Sequence, residues 1–203
     1  EMKAKPRGLT QEYGDQFSDR CIAEVYRTRP EIPTDIFQVL NSLLPADNRS
    51  LLDLGCGTGE VSIPMSEFAN LVDAVDPSKA MLDVAKLYSQ GKNTHIRWHQ
   101  CYAEEFRAKQ KYGLIVATNS IHWMDWENLF PYLTEILDSR GYFALIDSGD
   151  VHGLWEKEIM ELIPIYSTNR DFQPYDILDE LKARNLFNII STKKFRMQGL
   201  LIG

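Results

Sequence analysis

Leu51-Leu52-Asp53-Leu54-Gly55-Cys56-Gly57-Thr58-Gly59-Glu60 changes character in mid-run, from a short apolar stretch to glycine at every second position. The apolar part reads as a strand buried on both faces of a parallel sheet. Val61 to Phe68 follows with an apolar helical pattern, so a strand passes through a glycine turn into a helix. Glycine is needed where the backbone takes positive φ or comes very close to a ligand. Here the glycines stand at the carboxyl end of a strand, where open α/β sheets bind ligands. The helix behind the turn presents free N–H groups that suit a carboxylate or a phosphate, so the turn alone does not name its ligand.

Two carboxylates narrow the choice. The spacing Asp53-x-Gly55-x-Gly57-x-Gly59 differs from the Gly-x-Gly-x-x-Gly of nicotinamide enzymes and sets an acid two residues ahead of the first glycine. An acid there repels a pyrophosphate and suits a cationic ligand, which argues against a nicotinamide-dependent oxidoreductase. The next apolar run, Leu71 to Val75, ends on Asp76, which is placed to accept hydrogen bonds from both hydroxyls of a ribose.

At these residues the sequence resembles the class I S-adenosylmethionine-dependent methyltransferases. Leu51 to Gly59 matches their glycine-rich first motif and Asp76 their ribose acid. The resemblance continues through Pro77-Ser78-Lys79-Ala80-Met81-Leu82, through Ala103-Glu104, and through Asn119-Ser120-Ile121-His122-Trp123-Met124-Asp125, in the family's order, and covers roughly Phe17 to Asp147. It implies an α/β, doubly wound, Rossmann-like and mostly parallel sheet of strand order 3-2-1-4-5-7-6. It also implies S-adenosyl-L-methionine as cofactor, S-adenosyl-L-homocysteine as product and no metal. Cofactor-binding roles then fall to Asp53, Gly55, Cys56, Gly57, Thr58, Gly59, Asp76, Pro77, Ser78, Met81, Ala103, Glu104 and Asn119. Met81 would touch adenine or ribose, and Ala103-Glu104 would lie beside the adenine.

With 203 residues and 44% apolar composition the chain suits one domain with a sizeable core. A helical lid segment is expected over 1–45 and the Rossmann-like core over 46–203. The net charge of −7 and the lack of a lysine–arginine cluster disfavour a nucleic-acid substrate, which leaves a small-molecule methyl acceptor. Cys21, Cys56 and Cys101 lack metal-ligand spacing and leave one cysteine over, as expected in a reducing, cytoplasmic setting. No apolar run approaches membrane-spanning length, so no membrane association is expected. Composition leaves the oligomeric state open.

Along the chain, Thr10 to Tyr26 has helical character up to Arg29-Pro30. Phe17, Tyr26, Arg29-Pro30 and Pro33 resemble the N-terminal segment that folds over the cofactor in small-molecule members. A helix merely packed on the sheet is the alternative. Further helices are expected from Asp35 to Leu44, after an N-cap at Ser78, over Trp126 to Leu137, over Leu154 to Tyr166 and over Asp176 to Arg184. Strands are expected at Thr94 to Gln100, Tyr112 to Thr118, Tyr142 to Asp147 after a turn at Asp138-Ser139-Arg140-Gly141, and Phe187 to Phe195 as the sixth. The seventh strand is expected beyond this point, since Met197 to Gly203 is too short to hold both a connecting helix and that strand.

The stretch after the fourth strand bears on chemistry. Methyltransferases acting on amide or exocyclic amino nitrogens usually carry Asn/Asp-Pro-Pro-aromatic there, whereas this chain has Asn119-Ser120-Ile121-His122. His122-Trp123-Met124-Asp125 resembles small-molecule members that include trans-aconitate methyltransferase-like proteins. A carboxylate acceptor needs only positioning. A hydroxyl, phenol or amine must lose a proton, and His122 is then the candidate base, with a histidine bonded to backbone as the other reading. Trp123 and Trp126 suit either a pocket wall or packing. A protein that binds the cofactor without methylating remains the competing class.

Overall fold

A computed structural model describes residues 20–26, 28, 29, 31–92, 95–147, 161, 162, 165, 175–185 and 187–195. Five strands form one parallel sheet: β1 (Ser50–Leu54), β2 (Leu71–Asp76), β3 (Ile96–Gln100), β4 (Tyr112–Thr118) and β5 (Leu137–Ile146), in the order 3-2-1-4-5. The order reverses at β1, whose neighbours are β2 and β4, with Leu54 opposite Val75 on one side and Ala117 on the other. This is the doubly wound arrangement, and its switch point lies between β1 and β4 at the ends where ligands bind.

The sheet holds because its central strands are apolar on both faces. One face carries Leu52, Leu54, Ile115 and Ala117 against α5 (Trp126–Ile136), whose Trp126, Leu129, Phe130 and Leu133 are fully buried. The other carries Leu51, Val72, Leu114 and Val116 against α2 (Thr34–Leu43) and the short α3 (Ser62–Met65). Further helices are α1 (Arg20–Tyr26), α4 (Lys79–Ser89) and α6 (Ile177–Arg184). The Ser78 hydroxyl accepts from Met81 N at 3.1 Å and so starts α4. The Asp125 carboxylate does the same for α5 from Glu127 N and Asn128 N. Among the described residues no helix is long and apolar enough to cross a membrane, and no group of three or more metal-ligating side chains converges.

The structure corrects the sequence reading in two places. Phe187 to Phe195 forms no strand: it runs as irregular chain, with Phe187 in the α5-side core, Phe195 against the α2-side core, and Ile190 three-quarters exposed. Strand composition reflects fitness for a pleated, half-buried surface, and here no described strand accepts the pairing. The fifth strand also starts earlier than Tyr142. Leu137 already pairs with Tyr112, and the turn survives as a bulge that shifts register before Leu114 meets Tyr142. Arg140 N donates to Asp138 Oδ1 within that bulge at 3.1 Å. Of the expected helix from Thr10 to Tyr26, only Arg20–Tyr26 lies within the described residues. Most of Leu154 to Tyr166 lies outside them, as does the end of the chain.

Candidate active site

The glycine turn is fixed from three sides. Gly55 N and Cys56 N both donate to Val75 O, at 2.8 and 3.0 Å, which ties the start of the turn to the end of β2. Gly55 takes φ +65°, and a Cβ there would stand 2.5 Å from Ser120 Cβ, so only glycine lets the turn reach the end of β4. Ser120 closes the same junction by donating from its hydroxyl to Leu54 O at 2.7 Å. Gly57, at φ +52°, borders the open cleft, and the nearest atom to a Cβ there is Tyr26 Cε1 at 4.0 Å.

Asp76 joins the turn to α4. One carboxylate oxygen accepts from Gly57 N and the other from Ser78 N, each at 2.8 Å. Burial pushes its pKa up, against the pull of those two N–H groups. Each oxygen keeps a lone pair for a further donor. Asp53 lies behind the turn, almost wholly buried, and accepts from the Ser62 hydroxyl at 2.5 Å. Burial pushes the Asp53 pKa up to about 7, with the Ser62 hydrogen bond opposing and the neighbouring Asp76 reinforcing the rise.

These elements surround a cleft at the carboxyl ends of β1, β2 and β4. Of the residues singled out from sequence, Gly55, Gly57, Asp76, Pro77, Ser78, Met81, Ala103, Glu104 and Asn119 border it. Cys56, Thr58 and Gly59 belong to the turn but are not in its wall, and Asp53 supports the turn from behind. His122 also stands outside the wall. It sits on a 3-10 turn, Ile121–Trp123, and packs edge-on against Trp123 with ring centroids 4.6 Å apart. Tyr26 of α1 borders the cleft, and the Arg29 guanidinium lies 4.8 Å from its ring centroid.

Tyr102, Thr118, Ser120 and Met124 also line the wall, although no motif assigns them a ligand role. Position is a usable signal for three of them: Thr118 ends β4 and Ser120 follows it at the switch point, and Tyr102 follows β3 at the same carboxyl edge of the sheet. Asn119 adopts φ +49°, a left-handed conformation that asparagine tolerates, and its N–H donates to Ile146 O at 2.9 Å. Glu104 accepts from the backbone N–H of Asp125, linking the β3 side of the cleft to the start of α5.

Fold and cleft together define a Rossmann-like domain of the class I S-adenosylmethionine-dependent methyltransferases. Residues 51–141 match the family model described as a methyltransferase domain. Among curated relatives, a ubiquinone biosynthesis O-methyltransferase of Pelagibacter ubique is 32% identical over 159 residues, which are 74% of this chain and 66% of the relative. The yeast protein CRG1, named a probable S-adenosylmethionine-dependent methyltransferase, is 28% identical over 60% of this chain and 43% of its own length. The chain thus spans about half the length of the curated relatives it matches. In fold it is similar to the CcbJ methyltransferase of Streptomyces caelestis, with a TM-score of 0.53 and 23% identity over 64% of this chain and 56% of that one.

The wall fits the cofactor this class implies. Gly57 leaves its backbone open to the cleft, and Asp76 offers a carboxylate to paired hydroxyls.

Proposed function

We propose that the protein methylates an uncharged small molecule at a hydroxyl oxygen, using S-adenosylmethionine. The observation that carries this reading is the composition of the cleft wall. Among the described residues, its charged members are the two acids Asp76 and Glu104, while Tyr26, Tyr102, Trp123 and Met124 supply aromatic and thioether surface. Such a wall favours an apolar or aromatic body, and its two acids disfavour a carboxylate acceptor. The relatives named as ubiquinone biosynthesis O-methyltransferases support an oxygen acceptor.

In this reading Asp76 holds the ribose, Ala103 and Glu104 flank the adenine, and the turn at Gly55 and Gly57 lies under the methionyl end. When bound, the cofactor supplies a methyl group on a sulfonium, which needs no further activation. The protein's part is to align the acceptor oxygen with that methyl and to exclude water, an effect of orientation that reaches roughly 7–11 kcal/mol in favourable cases. Tyr26 and Trp123 close the cleft over the reacting atoms. The S–C bond breaks as the O–C bond forms, and the hydroxyl proton of the acceptor leaves to water as the product is released. His122 touches the wall through Trp123, and its role here is the placement of that ring.

The test is transfer of a labelled methyl group to a panel of phenols, alcohols and di- and tricarboxylates. Phenols or alcohols are expected to be methylated, and a preference for the carboxylates would contradict the reading. With an acceptor in hand, His122→Ala is expected to raise the acceptor KM about tenfold, the scale of one lost packing contact, and to keep the pH profile. Loss of one limb of that profile with KM unchanged would return His122 to the role of base.

A further inference from the structure

The link from β3 to β4, residues 101–111, contains no helix and crosses the α5 face of the sheet as a strap. Its start borders the cleft through Tyr102, Ala103 and Glu104, and further on its Ala108 N donates to the Tyr132 hydroxyl of α5 at 2.7 Å. Between these points the buried Phe106 anchors it in the core. Two rings flank Phe106: His99 of β3, edge-on with centroids 5.0 Å apart, and Tyr112 of β4, at 6.5 Å. Both rings are held from below by one carboxylate. Asp73 of β2 accepts from His99 Nε2 at 2.5 Å and from the Tyr112 hydroxyl at 2.7 Å, and the Arg97 guanidinium pairs with it as well. Asp73, His99, Phe106 and Tyr112 all stand outside the cleft wall. A short bonded path joins them to it: Glu105 N and Phe106 N both donate to Tyr102 O, at 3.0 and 3.2 Å, and close a tight turn around Ala103 and Glu104.

We propose that Phe106, gripped by His99 and Tyr112 above Asp73, is a positioning residue that sets how strictly the cleft selects the base of its ligand. This rests on the reading given above, in which adenine lies at Ala103 and Glu104. Adenine and hypoxanthine have the same shape and differ along one edge, where an amino donor is exchanged for an oxo acceptor. Telling them apart takes polar groups held in place, because a hydrogen bond weakens steeply away from its preferred distance and angle. A turn whose Phe106 is seated between two fixed rings keeps its polar groups in register with that edge. A turn whose anchor can shift accepts either base. Ion pairing in a sheet interior is a weak source of stability compared with apolar packing, and what the Asp73 network supplies here is a fixed orientation of the two rings. The ribose meets Asp76, which these residues do not touch, so the effect is confined to the base.

The experiment is calorimetric titration of wild type, Phe106→Ala, His99→Ala and Tyr112→Phe with S-adenosylhomocysteine and with S-inosylhomocysteine, its 6-oxo analogue. A thermal melt of each protein without ligand accompanies it. Wild type is expected to prefer the adenine compound about tenfold or more, as for a hydrogen bond to a charged group. Phe106→Ala and His99→Ala are expected to bind S-adenosylhomocysteine about tenfold more weakly and S-inosylhomocysteine within about twofold of wild type, so that the preference disappears. Tyr112→Phe keeps its ring against Phe106 and loses only the bond to Asp73. It is expected to melt at a lower temperature and to keep the preference, which separates selectivity from stability. Where Phe106→Ala does not fold, His99→Ala, at a half-buried position, carries the test. An unchanged preference in folded His99→Ala, an equal loss of both ligands, or loss of the preference in Tyr112→Phe would each overturn the assignment. If wild type binds both compounds equally, the positioning role falls and the cofactor reading stands. If it binds neither, the cofactor reading falls and takes this assignment with it.

Discussion

Two buried aspartates on adjacent strands show how local partners set opposite responses to pH. Asp73 of β2 is 1% exposed, and burial raises its pKa, but hydrogen bonds from Arg97, Tyr112 and His99 outweigh that and hold it below the usual range. Its contribution to stability is therefore present above the unfolded value of ~3.9 and is lost as pH falls through the lower folded value. Asp53 has the Ser62 hydroxyl as its side-chain partner and is raised to about 7. Between ~3.9 and that value the native state holds the proton more tightly than the unfolded chain, so this contribution declines as pH rises across the interval and is level above it. Asp53→Asn removes the slope. The difference in unfolding free energy between wild type and Asp53→Asn, measured by denaturant titration, is expected to move against wild type by about a few kcal/mol from pH 4.5 to 7.5. A constant difference across that range would mean that Asp53 is ionised throughout. The sequence made Asp53 visible as an acid before the turn. Its role behind the turn was not legible, because nothing in the spacing tells whether a strand residue faces the ligand or Ser62.

At the scale of elements, legibility followed burial. Tyr112–Thr118 was readable to the residue because its apolar run is shielded on both faces, and α4 because Ser78 caps it. The caps of α5 and α6, Asp125 and Asp176, precede their helices as sequence rules expect. Phe187 to Phe195 misled for the opposite reason: its isoleucines and threonine suit a strand, but pairing is decided by neighbours the pattern cannot display. The bulge in β5 escaped notice because a turn signal and a strand overlap there. Asp125 does two jobs, its side chain capping α5 and its N–H donating to Glu104. Asp125→Ala is expected to cost about 1 kcal/mol, seen as a lower melting temperature, while the N–H that holds Glu104 remains. A loss several times larger would mean that the cap also organises the 3-10 turn before it.

For the whole molecule, the strand order places one crevice where the chain reverses direction, and the motifs spaced along the sequence meet there because each follows a parallel strand. The turn after β1, the acid ending β2, Ala103 and Glu104 after β3 and Asn119 after β4 border a single cleft, though they are scattered over more than sixty positions. That convergence was legible from the family's motif order. The aromatic and hydroxyl residues that complete the wall were not, since their types carry no motif. The central claim is that this cleft takes an S-adenosyl ligand, and calorimetric titration of the purified protein with S-adenosylhomocysteine, and separately with NAD, tests it most directly. Saturable binding of S-adenosylhomocysteine at one site per chain is expected, with a dissociation constant on the order of micromolar, and no heat of binding with NAD. Binding of NAD, or no binding of the sulfur compound by protein shown to be folded and free of carried-over ligand, would contradict it.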